Sequence, residues 1–298
     1  MSESLQTSSI LAQTLDGGAT QETLPIVAAD GARSELLLVR PAGATDKLMY
    51  WLPAMGMPAR HYLPLAHALA SRGIAVALHE WRGIGSSDHR AGRHSDWSYR
   101  HLLVDDIPAG MAAVRMHCPQ MSCWLGGHSL GGQLACLYTS LHPEQHAGIV
   151  VIASGAPYWR IFRFGPLLWV TYALAPWLAR AVGYLPGRRI GFAGNEARGL
   201  ITDWALTGRT GRYAAKGIDD DFERRLATLK LPVLGMRLSH DWMAPPASLE
   251  WLLGKMPAAT RTTELITPAV LGSKQADHFS WMKTPDPIAE RIRAWADA

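Results

Sequence analysis

Ser129 lies within Gly127-His128-Ser129-Leu130-Gly131, a stretch that matches the pattern G-x-S-x-G. The apolar run "MSCWLGG" before it is typical of a buried strand, and "SLGGQLACLYTSLHP" is typical of a helix. A serine in a tight turn between a strand and a helix exposes its Oγ above the sheet, and only small residues fit beside it. The stretch therefore predicts a nucleophilic serine, and a serine that merely caps a helix is the alternative.

A serine hydroxyl is a weak nucleophile, so it needs a nearby base, and the base needs an acid that orients it. When the nucleophile occupies this kind of turn, the acid follows it in the chain and the histidine follows the acid. Asp241 comes shortly after the apolar run "LPVLGMRLS", and His278 is the only histidine beyond it. We therefore expect His278 to act as the base toward Ser129 and Asp241 to orient His278.

Neighbouring acids and histidines offer rival assignments. His240 is an alternative base, but successive side chains at a strand end point to opposite sides, so the adjacent acid does not readily orient it. Asp203 and the run Asp219-Asp220-Asp221 are alternative acids, which we expect on a solvated surface. Asp277 adjoins the histidine and is badly placed to bond to its ring. Asp105 and Asp106 are expected to be surface caps or hydrogen-bond anchors.

An attacked carbonyl develops a negative oxygen, which two backbone N–H groups usually stabilise. Leu130 follows the serine at the start of the predicted helix and is the first expected donor. The second is expected from "PAMGMPARHY", with Met55 as the candidate and Gly56 or Met57 as alternatives. The loop "HEWRGIGSSDH" is expected to shape the pocket floor, and its Asp88 and His89 are a weak alternative acid and base. The predicted pocket residues are Met57, His128, Tyr158, Trp159 and Trp242.

Short apolar runs alternate with helical segments over most of the chain. After a predicted hairpin, "ETLPIVAADGARSELLLVRPAG", the runs predicted as strands are "KLMYWLPA", "IAVALHEW", "MSCWLGG", "AGIVVIASG", "LPVLGMRLS" and "TRTTELIT". Apolar strands joined by helices form a mostly parallel sheet with helices on both faces. The predicted fold class is therefore α/β, with the ligand site at the carboxyl ends of the strands.

The alternation stops between residues 156 and 230, where aromatic and aliphatic residues occur in helical stretches. A transmembrane span is the least favoured interpretation, because Arg180 and two prolines interrupt an apolar run shorter than the roughly 20 residues that a span needs. A surface amphipathic helix is a second interpretation, and a helical cap fits the position best. The predicted organisation is a flexible N-terminal tail (1–22), an α/β core (23–155 and 231–298) and an inserted helical cap (156–230).

Composition narrows the class of protein further. The formal net charge is +4, but the basic residues are scattered and no run resembles a nucleic-acid-binding arm. The three cysteines lack C-x-x-C spacing and are expected to be reduced packing thiols, and the first residues lack the features of a secretory signal, so a cytoplasmic location is expected. No metal-ligand spacing and no glycine pattern for phosphates or dinucleotides occurs, so neither a metal nor a cofactor is predicted.

Five stretches, "PAMGMPARHY", "HEWRGIGSS", "GGHSLGGQL", "ASGAPYW" and "DWMAP", make the chain resemble the α/β-hydrolase superfamily from about Glu22 to the C-terminus. More narrowly, the chain is similar to a bacterial group of α/β-hydrolases related to serine aminopeptidase and lysophospholipase-like sequences. The resemblance implies a cap inserted after "GIVVIASG". Many members carry His-Gly before the oxyanion loop where this chain has Pro53-Ala54, and that alignment places Met55 at the donor position.

Together these features predict a cofactor-free serine hydrolase that cleaves an ester or thioester through an acyl-enzyme on Ser129. A Trp-rich cap favours an apolar acyl group. The alternatives are acyl transfer, amide hydrolysis with Glu196 or Asp203 as carboxylates for a substrate amine, and a non-catalytic binding scaffold. The expected partner is a small hydrophobic ester or thioester, with peripheral membrane contact through the cap and a homodimer as further expectations.

Overall fold

The computed structural model describes residues 13–14 and 18–298. Most of the predicted N-terminal tail (1–22) therefore lies outside the described residues. Within them, nine strands form one sheet and two further strands form a separate hairpin. The strands are β1 (Gln13–Thr14), β2 (Thr20–Val27), β3 (Arg33–Arg40), β4 (Lys47–Leu52), β5 (Ala75–Leu78), β6 (Ser122–His128), β7 (Gly148–Ile152), β8 (Leu185–Pro186), β9 (Asn195–Glu196), β10 (Val233–Leu238) and β11 (Arg261–Ile266).

The order of strands in the main sheet is β1-β2-β3-β5-β4-β6-β7-β10-β11. The predicted hairpin forms β2 and β3, which together with β1 make the antiparallel edge of the sheet. From β5 to β11 all neighbours are parallel, and every predicted apolar run forms one of these strands. The predicted α/β fold with a mostly parallel sheet is confirmed, so the carboxyl ends of β6 and β10 lie at the same edge.

The described part of the chain contains ten α-helices. A π-helical turn, His101–Asp106, leads directly into the second of them. They are α1 (Leu63–Ala70), α2 (Ile107–His117), α3 (Leu130–Leu141), α4 (Gly165–Val182), α5 (Gly187–Ile190), α6 (Arg198–Thr210), α7 (Phe222–Ala227), α8 (Pro246–Gly254), α9 (Pro268–Leu271) and α10 (Asp286–Ala296). Pro108 lies in the first turn of α2, directly after the π-helical turn, where its missing N–H is tolerated.

Alternate side chains of β4 enter two separate apolar cores, one on each face of the sheet. Leu48, Tyr50 and Leu52 pack with residues of α2, α3, α7 and α8, whereas Met49 and Trp51 pack with residues of α1 and α10. Both faces of the strand are buried, which explains why its sequence is a nearly continuous apolar run. Cys118, Cys123 and Cys136 are free and buried, and burial raises the pKa of the last two to about 12.

Between β7 and β10 the chain forms helices and the small antiparallel hairpin of β8 and β9, which the sequence did not predict. None of the described residues of this segment joins the main sheet. The inner face of α4 packs on α6, where the ring of Tyr172 lies against Gly208 and at 4.9 Å from the ring of Trp204. No helix in the described residues is both long and apolar enough to cross a membrane.

Of the two roles expected for Asp106, a surface cap or a hydrogen-bond anchor, the structure shows a buried anchor. Its carboxylate accepts a hydrogen bond from Arg82 Nε at 2.7 Å, and Arg82 also pairs with Asp30 at 2.7 Å. Arg82 follows β5 into the interior, where a lone guanidinium would be costly to desolvate, and the two carboxylates compensate its charge. Asp105 is likewise buried and pairs with Arg100 at 3.2 Å.

Candidate active site

Ser129 occupies the turn between β6 and α3 with φ 54° and ψ −119°. Positive φ is costly for a residue with a side chain, and the surrounding structure must hold it in place. Two contacts with the neighbouring strand do so. The Ser129 N–H donates to the carbonyl of Ile152 at 3.1 Å, and the hydroxyl of Ser154 donates to the Ser129 carbonyl at 2.6 Å.

The glycines around Ser129 are explained by close contacts between backbones. A Cβ on Gly127 would overlap the backbone of Gly131, and a Cβ on Gly131 would overlap the carbonyl of Leu52. A Cβ on Gly132 would overlap the Ser154 side chain. The start of α3 therefore lies directly on the ends of β4 and β7, and this close approach sets the position of the serine.

Asp241 and His278 are joined by a buried hydrogen bond in which Nδ1 lies 2.8 Å from Oδ2. The other carboxylate oxygen of Asp241 accepts hydrogen bonds from the N–H groups of Met243 at 2.9 Å and Ala244 at 3.0 Å. With Nδ1 donating to the acid, Nε2 of His278 is the nitrogen that can accept a proton. Nε2 and the Ser129 hydroxyl are not hydrogen-bonded to each other among the described residues, and such bonds commonly tighten only with substrate.

The rival assignments do not meet this geometry. His240 is exposed, and its N–H donates to the carbonyl of Ala276 at 2.8 Å, which holds the loop before His278 against the end of β10. Asp203 is buried, not solvated as expected: it accepts a hydrogen bond from the Tyr99 N–H at 3.0 Å, and burial raises its pKa to about 6. Asp277 accepts hydrogen bonds from the backbone that follows His278, not from its ring.

The other alternative acids, and the alternative base next to one of them, lie at the surface. Asp88 and His89 pair with each other at 2.7 Å in an exposed position. Asp221 caps α7 by accepting hydrogen bonds from the N–H groups of Glu223 and Arg224, and Asp220 pairs with Arg225. Within the part of the chain that the structure describes, no group of His, Cys, Asp and Glu is arranged to hold a metal ion.

His128 lies behind His278, not in an open pocket as the sequence suggested. It is fully buried, with its ring centroid 4.8 Å from that of His278 and its Nδ1 2.8 Å from the hydroxyl of Tyr62. Burial, with His278 close by, lowers the pKa of His128 well below its usual value, so this ring stays neutral. His278 is therefore supported by a second imidazole that adds no positive charge.

The loop after β4 holds its backbone amides in defined positions. The Ala54 N–H donates to the Tyr62 hydroxyl at 2.9 Å, and the Met57 N–H donates to the Ala54 carbonyl at 3.1 Å. The amides of Met55 and Gly56 make no hydrogen bond with any described residue. Among the three predicted donors, Met57 is thus occupied, and Met55 is free to bind an oxyanion together with Leu130, whose N–H lies in the unpaired first turn of α3.

A cleft lies beside these two amides. Trp81, Arg82, Gly83 and Ile84 contribute to it, in agreement with the pocket role predicted for the loop after β5. The remaining lining residues are Met55, Gly56, Arg90, Ala91, Trp97, Leu102, Leu130, Arg188, Gly194, Asn195, Glu196 and Leu200.

None of the five predicted pocket residues lines this cleft. Tyr158 packs instead on Trp251, with ring centroids 4.7 Å apart, and Trp159 stacks with the guanidinium of Arg160. Trp242 is 77% exposed because it leaves the end of β10 on the side opposite to the buried Asp241.

Glu196 is a buried carboxyl in the cleft, and sequence spacing offered nothing to place it there. Its Oε1 accepts a hydrogen bond from the Gly194 N–H at 2.8 Å, and a Cβ on Gly56 would overlap the backbone of Gly194. Glu196 therefore fixes the backbone before β9, and this backbone at Gly194 lies against the loop that carries Met55. Burial raises the pKa of Glu196 to about 7, with the guanidinium of Arg188 acting in the opposite direction.

We predict that Ser129→Gly is more stable than Ser129→Ala by about 1 kcal/mol. Both variants lack the hydroxyl, but only glycine adopts the positive φ of this turn without strain. Urea denaturation measures the difference. The matched pair is Ser122→Gly and Ser122→Ala at the exposed start of β6, where extended backbone favours alanine. If the glycine variant were more stable than the alanine variant at both positions, backbone strain at Ser129 would be contradicted.

We also predict a pH-dependent gain in stability for Glu196→Gln. Below pH 4.5 the wild-type carboxyl is protonated in both states, whereas between pH 4.5 and about 7 only the unfolded chain releases its proton. Stability contributed by Glu196 therefore falls as the pH rises through this window. Relative to wild type, the variant should gain about 3 kcal/mol between pH 4 and pH 8. Denaturation curves at several pH values test this, with exposed Glu250→Gln as the control.

The sequence and the fold have counterparts among known proteins. The family model described as serine aminopeptidase, S33, matches residues 43–269. Human monoglyceride lipase is 28% identical over 133 residues, which is 45% of this chain and 43% of that protein, so the match spans less than half of the relative.

Two solved structures share the fold over most of the chain. The esterase domain of a Rhodothermus marinus protein superposes with a TM-score of 0.64 at 16% identity, covering 93% of this chain and 97% of that one. The monoacylglycerol lipase of Paleococcus ferrophilus superposes with a TM-score of 0.57 at 17% identity, covering 85% and 95%. With the family match extending over three quarters of its length, the chain belongs to the serine aminopeptidase S33 family of α/β-hydrolases.

Proposed function

We propose that this protein is a serine hydrolase that cleaves a carboxylic ester or thioester with an apolar acyl group. The observation that carries the proposal is the buried hydrogen bond between His278 and Asp241, at the sheet edge where Ser129 occupies a strained turn. A histidine oriented through Nδ1 presents Nε2 as a base, which is the arrangement that nucleophilic acyl transfer requires.

In the proposed reaction, His278 Nε2 takes the proton of Ser129 as Oγ bonds to the substrate carbonyl carbon. The carbonyl oxygen becomes negative and accepts hydrogen bonds from the Leu130 and Met55 amides. The intermediate collapses, the bond to the alcohol or thiol breaks, and His278 returns the proton to that leaving group. Water, deprotonated by His278, then attacks the acyl-enzyme and releases the carboxylic acid and free Ser129.

The cleft supports an apolar acyl group. Trp81, Ile84 and Leu102 form an apolar part of its lining, on the same cleft as Met55 and Leu130, and this part favours a hydrocarbon. The rest of the lining is polar and includes Arg82, Arg90, Arg188, Asn195 and Glu196. Monoglyceride lipases are among the relatives of this chain, and their name describes hydrolysis of an acylglycerol ester. Both observations point to a lipid-like ester as the substrate class.

Residues 156–230 act in this proposal as a cap inserted into a core of residues 23–155 and 231–298. Three features support it: the segment stays outside the main sheet, it supplies Glu196 and Leu200 to the cleft, and buried Ala175 and Ala179 of α4 share an apolar cluster with Met55. A cap in contact with the oxyanion loop would exclude water from the reacting ester.

Labelling with a fluorophosphonate probe tests the proposed nucleophile and base. We expect labelling of wild type, none of Ser129→Ala, and for His278→Ala a fall of roughly a thousandfold or more in labelling rate and ester hydrolysis. The matched controls are Ser122→Ala, an exposed serine of the same strand, and His240→Ala, the exposed rival base, which should both react like wild type. A folded wild type without labelling would refute the proposal and favour a binding scaffold.

A series of nitrophenyl esters of increasing chain length tests the acyl group. We expect kcat/KM to rise with acyl length until the chain fills the cleft, since each buried methylene contributes about 0.8 kcal/mol. A profile that is flat or falls from acetate onward would contradict an apolar acyl site. Adding an alcohol acceptor and measuring transesterified product separates hydrolysis from acyl transfer.

Amide hydrolysis is a second candidate, favoured by the position of Glu196 in the cleft. A substrate ammonium beside this carboxyl would draw it into its ionised form and gain a charge-assisted hydrogen bond. Aminoacyl nitroanilides test this alternative directly. Turnover of an anilide that drops in Glu196→Gln, while nitrophenyl ester hydrolysis is retained, would favour the amidase; no anilide turnover by an esterase-active wild type would reject it.

A further inference from the structure

Helix α4 exposes a continuous apolar surface that no described residue covers. Leu167, Val170, Leu174, Trp177 and Leu178 recur at the three- and four-residue spacing of one helix face, and Leu174 and Trp177 are 60% and 70% exposed. Phe164 and Trp169 extend this surface at its first turn. We call these seven residues the α4 outer face. A contiguous apolar surface of this kind marks an interaction site.

The opposite side of α4 explains why the helix cannot rotate to bury this surface. Tyr172, Ala175 and Ala179 are already buried, against α6 and in the cluster that contains Met55. The outer face is therefore a second apolar side of α4, whose other apolar side is already buried. No other part of the described fold covers this second side.

The charge of the segment that contains the outer face indicates which kind of partner this surface can bind. From Ala156 to Asn195 the sequence has five arginines and no aspartate or glutamate, whereas the whole chain has a net charge of only +4. The rest of the protein is thus slightly acidic, and the positive charge is concentrated in this segment. The arginines are Arg160, Arg163, Arg180, Arg188 and Arg189.

Three of these arginines flank aromatic side chains of the same segment. The guanidinium of Arg163 lies 5.4 Å from the ring of Phe164, and that of Arg180 lies 5.7 Å from the ring of Trp177. Arg160 stacks in the same way on Trp159 at 5.1 Å. None of the five forms an ion pair with another described residue. An apolar surface bordered by tryptophan and free arginine matches the interface of an anionic bilayer, where rings enter the headgroup layer and guanidinium groups meet phosphates.

We propose that the α4 outer face docks on an anionic lipid bilayer, with the helix lying parallel to the membrane surface. Insertion across the bilayer does not fit, since no described helix is both long and apolar enough. A symmetric dimer through this face fits poorly, because a two-fold interface would add the positive charges of Arg163 and Arg180 of one copy to those of its partner. The proposal is independent of the chemistry assigned to Ser129.

Docking in this orientation would bring the bilayer within about one helix diameter, roughly 10 Å, of the oxyanion loop. The outer face would contact acyl chains while the inner face of the same helix remains packed near Met55. An apolar ester dissolved in the membrane would then need to travel only a short path to the cleft.

Flotation with vesicles tests the proposal on the full chain. The vesicles are equal parts phosphatidylglycerol and phosphatidylcholine, or phosphatidylcholine alone, at about 0.1 M salt. We expect wild type to bind the anionic vesicles on the order of tenfold or more tightly than the neutral ones. Leu174→Gln/Trp177→Gln should weaken this binding at least tenfold, because each buried apolar side chain contributes about a factor of ten.

The control for the apolar contribution to vesicle binding is Met116→Gln. This change removes a 76% exposed hydrophobic side chain from α2, and the variant should bind like wild type. The charge part is tested by Arg163→Gln/Arg180→Gln, expected to lower binding to anionic vesicles about tenfold or more. Its control is Arg33→Gln, an exposed arginine on β3 with no ion pair to a described residue. All substituted side chains are exposed, so the variants should keep the wild-type Tm.

Three results would overturn the proposal. They are absence of wild-type binding to anionic vesicles, equal affinity for the two vesicle types, and equal binding by wild type and Leu174→Gln/Trp177→Gln. Sedimentation velocity without lipid identifies the rival occupant: a wild-type dimer that becomes monomeric in that double variant, together with no vesicle binding, would make the outer face an interface between copies.

Discussion

The close contact between the start of α3 and the sheet is the constraint on which the candidate site depends. Ser129 is held at positive φ because Gly127 and Gly131 allow backbones to touch where any side chain would overlap them. The hydrogen bonds that hold Ser129 come from β7, so the turn is braced by a neighbouring strand and not by its own segment alone. Local strain of this kind persists only when the surrounding packing determines it fully.

A second layer of buried polar groups positions the candidate base. Asp241 accepts three hydrogen bonds, of which one comes from His278 and two come from the backbone after β10. On the other side, the Tyr62 hydroxyl connects Ala54 of the loop after β4 with the ring of His128. Because an unpaired buried polar group is costly, a connected network keeps one arrangement in preference to others. The contact between the rings of His128 and His278 brings the two groups together, so the acid and the histidine lie against the group that holds the loop after β4.

The segment between β7 and β10 contributes to two environments at once. Its inner residues, among them Glu196 and Leu200, line the cleft, while the outer face of α4 is apolar and bordered by arginine. Glu196 also contacts Gly194, whose backbone approaches Gly56 so closely that neither position has room for a side chain. A change in the position of this hairpin would thus reach the loop after β4 directly, without passing through the sheet.

Sequence alone determined the features that follow from local rules. The apolar runs predicted β4, β5, β6, β7 and β10 because both faces of those strands are largely buried, whereas β11 is a mostly exposed edge strand. The glycines around Ser129 predicted the turn because its geometry excludes larger residues. The order of Asp241 and His278 followed from the topology of the sheet. These inferences needed no knowledge of distant contacts.

Only the tertiary structure decided which polar groups are buried and what surrounds the cleft. The Gly194 backbone, which Glu196 binds, meets Gly56; Asp203 meets Tyr99, and Asp106 meets Arg82. None of these pairings leaves a signal in spacing or composition. The same holds for His128, which packs behind the candidate base, and for Trp242, which turns outward. Periodicity reports only whether a residue faces the inside of its own element, whereas the partner it meets there depends on how distant elements pack.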